Sequence, residues 1–498
     1  MLLNTAAAGG TTLPANQTIR ISVSSSGVQG NAWSGSNWVN HNGGLEFTSN
    51  SISSDGHYVV FTSRASNLTP GDTNGVADVF LRDTSAGTTT LVSLDSSGQQ
   101  YSYDSINGRI SDDGRYVIFS VGPEGSWPTL FERDLQTGTT TQVASSAGYP
   151  AMTPDGRFVI YTASSGVIYR WDHDSDSSIA VSVNGLSQLG NGFSACGAIS
   201  ADGRFVAFCS EASNLVSGDT NSHQDVFVRD VDGGTTERVS IDGSGGQFPD
   251  WSGAASISSD GRYIAFLTFA DNLHLGVVAA QTSEVVLRDR TAGTTTLVST
   301  NTILQPALDD SNSPMITADG RYVVFHSWAK NLVAADGVRT GDTFVWDRVL
   351  RTTTRQSVDS SGLETVGNGM QGPAISGNGR YVVFESGSSS LVSGDTNGVP
   401  DIFMRDRTGE LNDIVAPVNN LIGGSDAIAS TQTDLKLAAA WNARDPGSGL
   451  AYFDVIYTRA PYNSTAYGSP VYLRSKTLGT GGVFGTAPGY TYCLQARA

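Results

Sequence analysis

Lysine is nearly absent from this chain: Lys330, Lys436 and Lys476 are all it has in 498 residues. Asp and Glu outnumber Lys and Arg by 47 to 29, for a formal charge of −18 and a pI near 4.6. A basic stripe that could neutralise phosphates is missing, which excludes a nucleic-acid surface. Electrostatic docking on anionic lipid is excluded on the same ground. No apolar run approaches the roughly 18 residues of a membrane span. Cysteine is also scarce, and three residues cannot make a disulfide framework. Gly-x-Ser-x-Gly, His-Glu-x-x-His and the phosphate loop ending in Gly-Lys-Ser/Thr do not occur, so no standard nucleophile, zinc-protease or nucleotide site is written in the chain. The six histidines are scattered; of these only His41, His223 and His274 fall in loops that could share one face. Met1 to Gln17 has no basic residue and too short an apolar centre for a signal peptide. A mature or truncated start of an exported protein is expected there, with an extracellular, periplasmic or cell-surface location.

What the chain has in quantity is glycine, 58 residues, beside much Ser and Thr. The glycine is periodic. Ser53-Ser54-Asp55-Gly56-His57-Tyr58-Val59-Val60-Phe61 is an alternating apolar run entered through an Asp-Gly turn, and a polar loop leads on to Asp78-Val79-Phe80-Leu81-Arg82-Asp83. The turn returns as Asp113-Gly114, Asp155-Gly156, Asp202-Gly203, Asp260-Gly261, Asp319-Gly320 and Asn378-Gly379, at intervals of 42 to 59 residues. Such an interval is the length of a propeller blade. Each unit predicts four strands: a short A (Asn50–Ile52), then B (His57–Thr62), C (Asp78–Arg82) and D (Thr88–Leu94), with units two and three trimmed between B and C. The A–B turn needs one residue at positive φ, which only glycine adopts cheaply.

Residues 1–16 read as a disordered lead-in. Gln17 to Val23 alternates as a strand should. Its internal relatives, Thr236 to Ile241 and Thr354 to Val358, both lie at the end of a unit. The seventh unit has strands A to C at Gly372–Ile375, Arg380–Glu385 and Asp401–Arg405, but no Thr-rich fourth strand follows. The N-terminal strand therefore supplies it, leaving no unpaired edge between first and last blades. The expectation is an all-β chain: a seven-bladed propeller over 17–410, then a small β-sandwich over 411–498.

The carriers of a family resemblance are Ser-x-Asp-Gly-Arg-Tyr-Val/Ile-x-Phe (Ser111 to Phe119, Ser258 to Phe266) and Asp-Val-Phe-x-Arg-Asp (Asp78 to Asp83, Asp225 to Asp230). They resemble the TolB-type, WD-like propeller repeats of bacteria. The resemblance implies the fold and leaves function open, since such propellers include protein-binding modules, sugar lyases and peptidase accessory domains. Beyond Asp413 the repeat stops. The ending Ala487-Pro488-Gly489-Tyr490-Thr491-Tyr492-Cys493-Leu494 resembles the sixth strand of a fibronectin type III module, with Tyr492 at the tyrosine corner. That resemblance implies a module short of its seventh strand.

Three patterns are candidate sites. Gly71-Asp72-Thr73-Asn74-Gly75-Val76-Ala77-Asp78 returns as Gly218 to Asp225 and as Gly394 to Asp401. Its hard oxygens (Asp72, Asn74, Asp78; Asp219, Asn221, Asp225; Asp395, Asn397, Asp401) suit a weak structural Ca²⁺ site. They also suit a plain Asx-turn loop leading into strand C, since three side chains fall short of the six ligands the ion takes. The loops between strand D and the next strand A carry aromatics, namely Trp33, Trp38, Tyr101, Tyr103, Tyr149, Phe193, Phe248 and Trp251. These are either a sugar- or peptide-binding rim or plugs between blades. Cys196 and Cys209 flank the turn of unit four and could face each other across its hairpin, while Cys493 has no evident partner. By contrast, the Arg-Asp pairs closing each strand C (Arg82-Asp83, Arg229-Asp230 and their relatives) recur once per unit and read as turn caps.

The functional expectation is a secreted or surface-attached binding scaffold whose propeller face recognises a glycan or protein. A polysaccharide-acting enzyme, with its site at the channel, is the second class. An envelope-assembly subunit of TolB type is the third.

Overall fold

The computed structural model describes residues 16–35, 51–270, 282–334, 341–365 and 372–408, together with the backbone of the strands at 40–41, 44–45, 420–422, 435–442, 453–461, 471–477, 481–486 and 490–497. The expected lead-in thus lies outside the described residues except for Asn16. The chain divides into two compact units, between Arg407 and Thr408.

The first unit holds seven four-stranded antiparallel sheets, here blades one to seven. Blade one is Ser51–Ile52, Tyr58–Ser63, Asp78–Asp83 and Thr88–Leu91, and blades two to six repeat that order. The first strands of neighbouring blades touch one another right round the ring, Ala374–Ile375 of blade seven against Ser51–Ile52 of blade one included. They are the inner wall. Blade seven takes its outermost strand from the N-terminus: Thr18–Arg20 pairs antiparallel with Asp401–Asp406, in the register Thr18↔Arg405 and Arg20↔Phe403.

Hydrophobic cores lie between blades. Val60, Val79 and Leu81 of blade one meet Ile110, Val117 and Phe119 of blade two. At the closure Ile21, Val59 and Phe61 pack with Tyr381, Val383, Ile402 and Met404. The repeat motif explains itself at the opposite end from the long loops. Every turn glycine from Gly56 to Gly379 has positive φ. At each, an added Cβ would also collide with the aromatic that follows the turn in the preceding blade, as at Gly114 against Tyr58 and Gly379 against Tyr322. One position therefore answers both a dihedral demand and a packing demand.

Strand D ends earlier than the sequence predicts, at Leu91 instead of Leu94. Its N–H to C=O bonds explain why: Leu94 donates to Val92 O and Val23 to Ile21 O, with four further copies in blades three to six. The chain makes a γ-turn there, centred on Ser93, Ser22 and their equivalents. The Arg-Asp pairs are structural, as read from the sequence. Asp83 accepts from Ser85 N and Ala86 N. Arg82 donates to Gly87 O, Thr89 Oγ1 and the preceding blade's Ser24 O.

The second unit contains two three-stranded sheets, Asn420–Ile422, Leu435–Asn442, Gly481–Thr486 and Val471–Thr477, Phe453–Pro461, Tyr490–Arg497, listed in their paired order.

Candidate functional site: the mouth of the ring and its acidic loops

The long D–A and B–C loops share one end of the ring. At the top of each described inner hairpin the residue before strand A, or in blade one before the isolated bridge Ser34↔Ser63, faces the residue after strand B through one backbone hydrogen bond. The described pairs are Trp33 with Arg64, Asp104 with Gly122, Ser146 with Ser164, Phe193 with Glu211, Trp251 with Phe269 and Asp310 with Trp328. Just below them, strand A carries a β-bulge in blades two to six. There Asn107, Tyr149, Cys196, Ala254 and Ser313 adopt left-handed backbone, with φ from 47° to 60°. Bulges of this kind re-aim side chains at a rim.

The aromatics expected at this rim divide. Tyr101 is wedged against Phe119 and Phe131, with ring centroids at 6.0 and 5.1 Å. Phe248 is fully buried against Phe266. Both fill space between blades. Trp33, Phe193 and Trp251 belong to the hairpin-top pairs and are half-buried, and Tyr103 is exposed. Trp38 lies outside the described residues. Trp33 donates Nε1–H to Glu385 Oε1 of blade seven at 3.1 Å, so it bridges the closing blades. Trp251 meets Phe269 edge-on at 5.7 Å. Phe193 lies 6.3 Å from Trp127, which lies 6.4 Å from Tyr149, a cluster drawn from blades two, three and four. Sequence reading passed over Trp127, in a B–C loop, because its signal is only a tryptophan beside a proline. His223 stands 4.0 Å from Asp250; His274 lies outside the described residues, and only the backbone of His41 is described.

Cys196 and Cys209 are disulfide-bonded, with Cα atoms 5.7 Å apart, a spacing within the usual range. The αL bulge turns Cys196 towards strand B.

The three acidic loops share one internal architecture. Asn74, Asn221 and Asn397 each close an Asx turn, the side-chain oxygen accepting from Val76 N, His223 N and Val399 N at 3.2, 3.0 and 3.1 Å. Their amide nitrogens donate to Tyr101 O, Phe248 O and Gly30 O. A glutamine from the hairpin after strand D locks each loop. Gln100 donates to Asp72, Gln247 to Asp219 and Asp225, and Gln29 to Asp395 and Asp401, at 2.7 to 3.3 Å. The last aspartate accepts from the γ-turn serine: Ser93 to Asp78, Ser240 to Asp225, and Ser22 to Asp401 across the closure. This glutamine occurs where the Asp-Thr-Asn loop occurs, a pairing within the sequence that could have been read.

The loops differ in charge. In blade four Arg238 Nη1 stands 3.6 Å from Asp219 and 3.7 Å from Asp225. In blade seven Arg20 stands 3.3 Å from Asp395 and 3.4 Å from Asp401. Blade one has Leu91 at that place, and among the described residues no arginine or lysine pairs with Asp72 or Asp78. Burial then pushes both carboxyls up, Asp78 to about 6. Glu284, which begins strand C of blade five as Asp78 does in blade one, follows the same logic: the strand-D position of Leu91 is held there by Leu297, paired with Val286, and burial pushes Glu284 to about 8.

Calcium takes six or more oxygens. In blades four and seven a guanidinium already stands against both carboxylates, and in all three loops the asparagine oxygen is committed to its turn. That donor set does not suit the ion there. Among the described residues no group of three or more His, Cys, Asp or Glu is placed to hold a metal.

No family model matches the chain, and no curated protein matches it. Solved structures do. TolB from Acinetobacter baumannii aligns at 16% identity and a TM-score of 0.36, over 56% of this chain and 59% of its own. An oligogalacturonate lyase in complex with manganese aligns at 14% and 0.45, over 79% of this chain and 98% of its own. The β-propeller domain of the Trilobed protease from Pyrococcus furiosus, described as having an open velcro topology, aligns at 10% and 0.46, over 72% and 94%. This chain spans about three fifths of that TolB.

Proposed function

We propose that the propeller is a secreted or surface-attached binding scaffold whose ring mouth recognises a glycan or protein partner. The observation that carries the reading is the set of hairpin-top pairs. They place Trp33, Phe193, Trp251, Phe269 and Trp328 at equivalent positions around one opening, interspersed with Asp104, Glu211, Asp310 and Arg64. Aromatic faces beside acceptor carboxylates are what a sugar ring or an extended peptide requires. The Cys196–Cys209 bond supports an oxidising compartment, outside the cytosol. The strand order of the second unit supports a fibronectin type III-like module counted to its sixth strand.

The test is a glycan and peptide array probed with the intact chain, followed by titration of any hit. Trp251→Ala and Trp33→Ala should each weaken binding about tenfold, the worth of one lost aromatic contact. Polysaccharide turnover abolished by changing one acidic residue of the mouth would overturn the scaffold reading in favour of an enzyme.

A further inference from the structure

Six of the seven seams between blades are strapped on the outside by the same bond. A threonine of the outer strand donates its hydroxyl to a carbonyl that opens the preceding blade's hairpin. The pairs are Thr89 to Val23 O, Thr140 to Leu94 O, Thr236 to Val183 O, Thr295 to Ile241 O, Thr353 to Thr300 O and Thr18 to Val358 O. In all but the fifth of these the strand-C arginine bonds the same hairpin, as Arg133 does at Leu94 O and Asp95 O. The seam between blades two and three is built differently. Only Ser145 and Ser146 join strand D of blade two to strand A of blade three, so no outer hairpin stands there. Trp171 replaces the arginine. Ser178 pairs with it in the threonine's place and accepts from Tyr161 of its own blade at 3.2 Å.

An acid and an imidazole cross this seam instead. Glu132 holds the strand-C position that is Leu81 in blade one and Val228 in blade four. Its side chain is 3% exposed, and Oε2 lies 2.6 Å from His173 Nδ1 of blade three. The other oxygen, Oε1, is buried without a hydrogen-bond partner among the described residues. His173 follows strand C where blades five to seven have Arg290, Arg348 and Arg407. Those arginines lie over Phe205, Tyr263 and Tyr322 of the preceding blade, 4.3 to 4.8 Å from the ring centroids. His173 packs on Tyr116 at 5.0 Å and meets Trp171 edge-on at 5.7 Å. A cation that loses its charge near neutrality thus takes the place of permanent ones, at the seam that has no strap.

We propose that His173 and Glu132 form a pH-sensitive latch across the seam of blades two and three, closed while the imidazole is protonated and loosened once it is neutral. Protonated, His173 donates a charge-assisted hydrogen bond to a buried carboxylate. Neutral, it leaves that carboxylate dry and without its cation, which favours opening to water. The other charged groups nearby do not substitute. Asp134, on the same strand, repels Glu132, and Arg115 of strand B is turned to Asp134 at 2.8 Å. On blade three Arg157 is held by Asp172 and Asp174, and Arg170 donates away to Gly203 O of blade four. Burial pushes the Glu132 carboxyl up and His173 draws it back. A carboxyl raised by burial gives up stability as pH rises, and an imidazolium–carboxylate pair is lost in the same direction. Both effects loosen the seam as pH climbs through the imidazole range. The latch does not depend on what the ring mouth binds.

Hydrogen exchange of the intact chain, read peptide by peptide at pH 5.5 and pH 8.0 and corrected for the intrinsic rate, tests this locally. Protection of Thr129–Asp134 and Ile168–Asp172 should fall about tenfold between the two, near the lower end of what a hydrogen bond to a charged group contributes. Tyr322–Ser327 of strapped blade six should not change. The local readout separates the latch from Asp78 and Glu284, whose carboxyls burial raises in blades one and five. His173→Arg supplies the permanent cation of blades five to seven and should hold the seam closed at both pH values. Glu132→Leu, with the residue of blade one, should also abolish the pH response, which covers the case where the longer arginine does not fit. His173→Gln should be as open at pH 5.5 as wild type is at pH 8.0. An equal fall in blade six, or a wild-type response kept by both His173→Arg and Glu132→Leu, would overturn the latch.

Discussion

Blade one and blade four share the Gly-Asp-Thr-Asn opening and the closing Asp of an eight-residue loop, the Asx turn, a glutamine lock and the γ-turn serine, and their outer strands differ at two residues, Thr90-Leu91 against Glu237-Arg238. Blade four has Arg238 and blade one has Leu91. The loop backbone is alike in both, down to a left-handed residue at Gly75 and at Ser222, where a serine accepts φ of 61°. Loop shape therefore comes from neutral hydrogen bonds and not from charge neutralisation. What the arginine alters is the cost of keeping two carboxylates dry. With it, Asp225 is raised by burial and partly relieved by Arg238; without it, Asp78 rises to about 6. A repeat protein lets one term of an electrostatic balance vary while the rest is held fixed.

The harshest break is to remove the strand that gives blade seven its arginine. Deleting residues 1–24 takes away Arg20, Ser22 and Ile21 together, exposing the edge of Asp401–Asp406 and leaving Asp401 without its cation and its serine donor. Loss of the monomer is expected, with aggregation in size-exclusion chromatography; a monomer melting at the wild-type temperature would refute closure by this strand. Next is Arg238→Leu, which puts at this place in blade four the residue blade one has there. Leaving two buried carboxylates without their cation should cost roughly 3 kcal/mol at pH 7. The cost should shrink as acid protonates Asp225, because burial already raises its folded-state affinity for protons and removing Arg238 raises it further. Denaturant midpoints at pH 7 and pH 4.5 measure both.

Blade four also carries a device its relatives lack. Replacing Cys196 and Cys209 together by serine opens a bond across 13 residues of separation. By the loop-entropy estimate this lowers stability by about 3 kcal/mol at most, less whatever the hairpin retains on its own. Unchanged unfolding of wild type under reducing conditions would show the bond to be inert. The mildest test sharpens the contrast at blade five. Glu284 sits near pKa 8 when folded, against an ordinary 4.5. Because the folded value is the higher, its contribution is whole below pH 4.5 and is drained as pH climbs towards 8. Glu284→Gln should flatten that slope, gaining on wild type at pH 8.5 and showing little difference at pH 4.5. A parallel pH profile in the variant would contradict the assignment.

Much of the ring was legible in one dimension because its determinants are local and repeated. An Asp-Gly turn, an aromatic and an alternating run need only neighbours in sequence, and seven copies made the pattern plain. Even the long-range closure could be read, because the orphan strand at Gln17 to Val23 resembles the ends of other units and the last unit lacks an end. The rim was read less completely. Tyr101 and Phe248 look like Trp33 and Trp251 in a string of letters, since all follow strand D in polar loops. Three residues of offset decide whether the ring falls between blades, as at Phe248, or at the top of the inner hairpin, as at Trp251.

The amino-acid order by itself determined the blade count, the turn glycines and the capping role of the Asp in the Arg-Asp pairs, which accepts from backbone N–H groups two and three residues on. Tertiary structure alone decided which charges meet. Arg20 reaches Asp395 and Asp401 because the ring closes, and Gln100 reaches Asp72 because a hairpin folds back on its own outer strand. Dehydrating a carboxylate and pairing it are three-dimensional acts: their energies depend on which groups exclude water from the same few ångströms, and separation along the chain does not fix that.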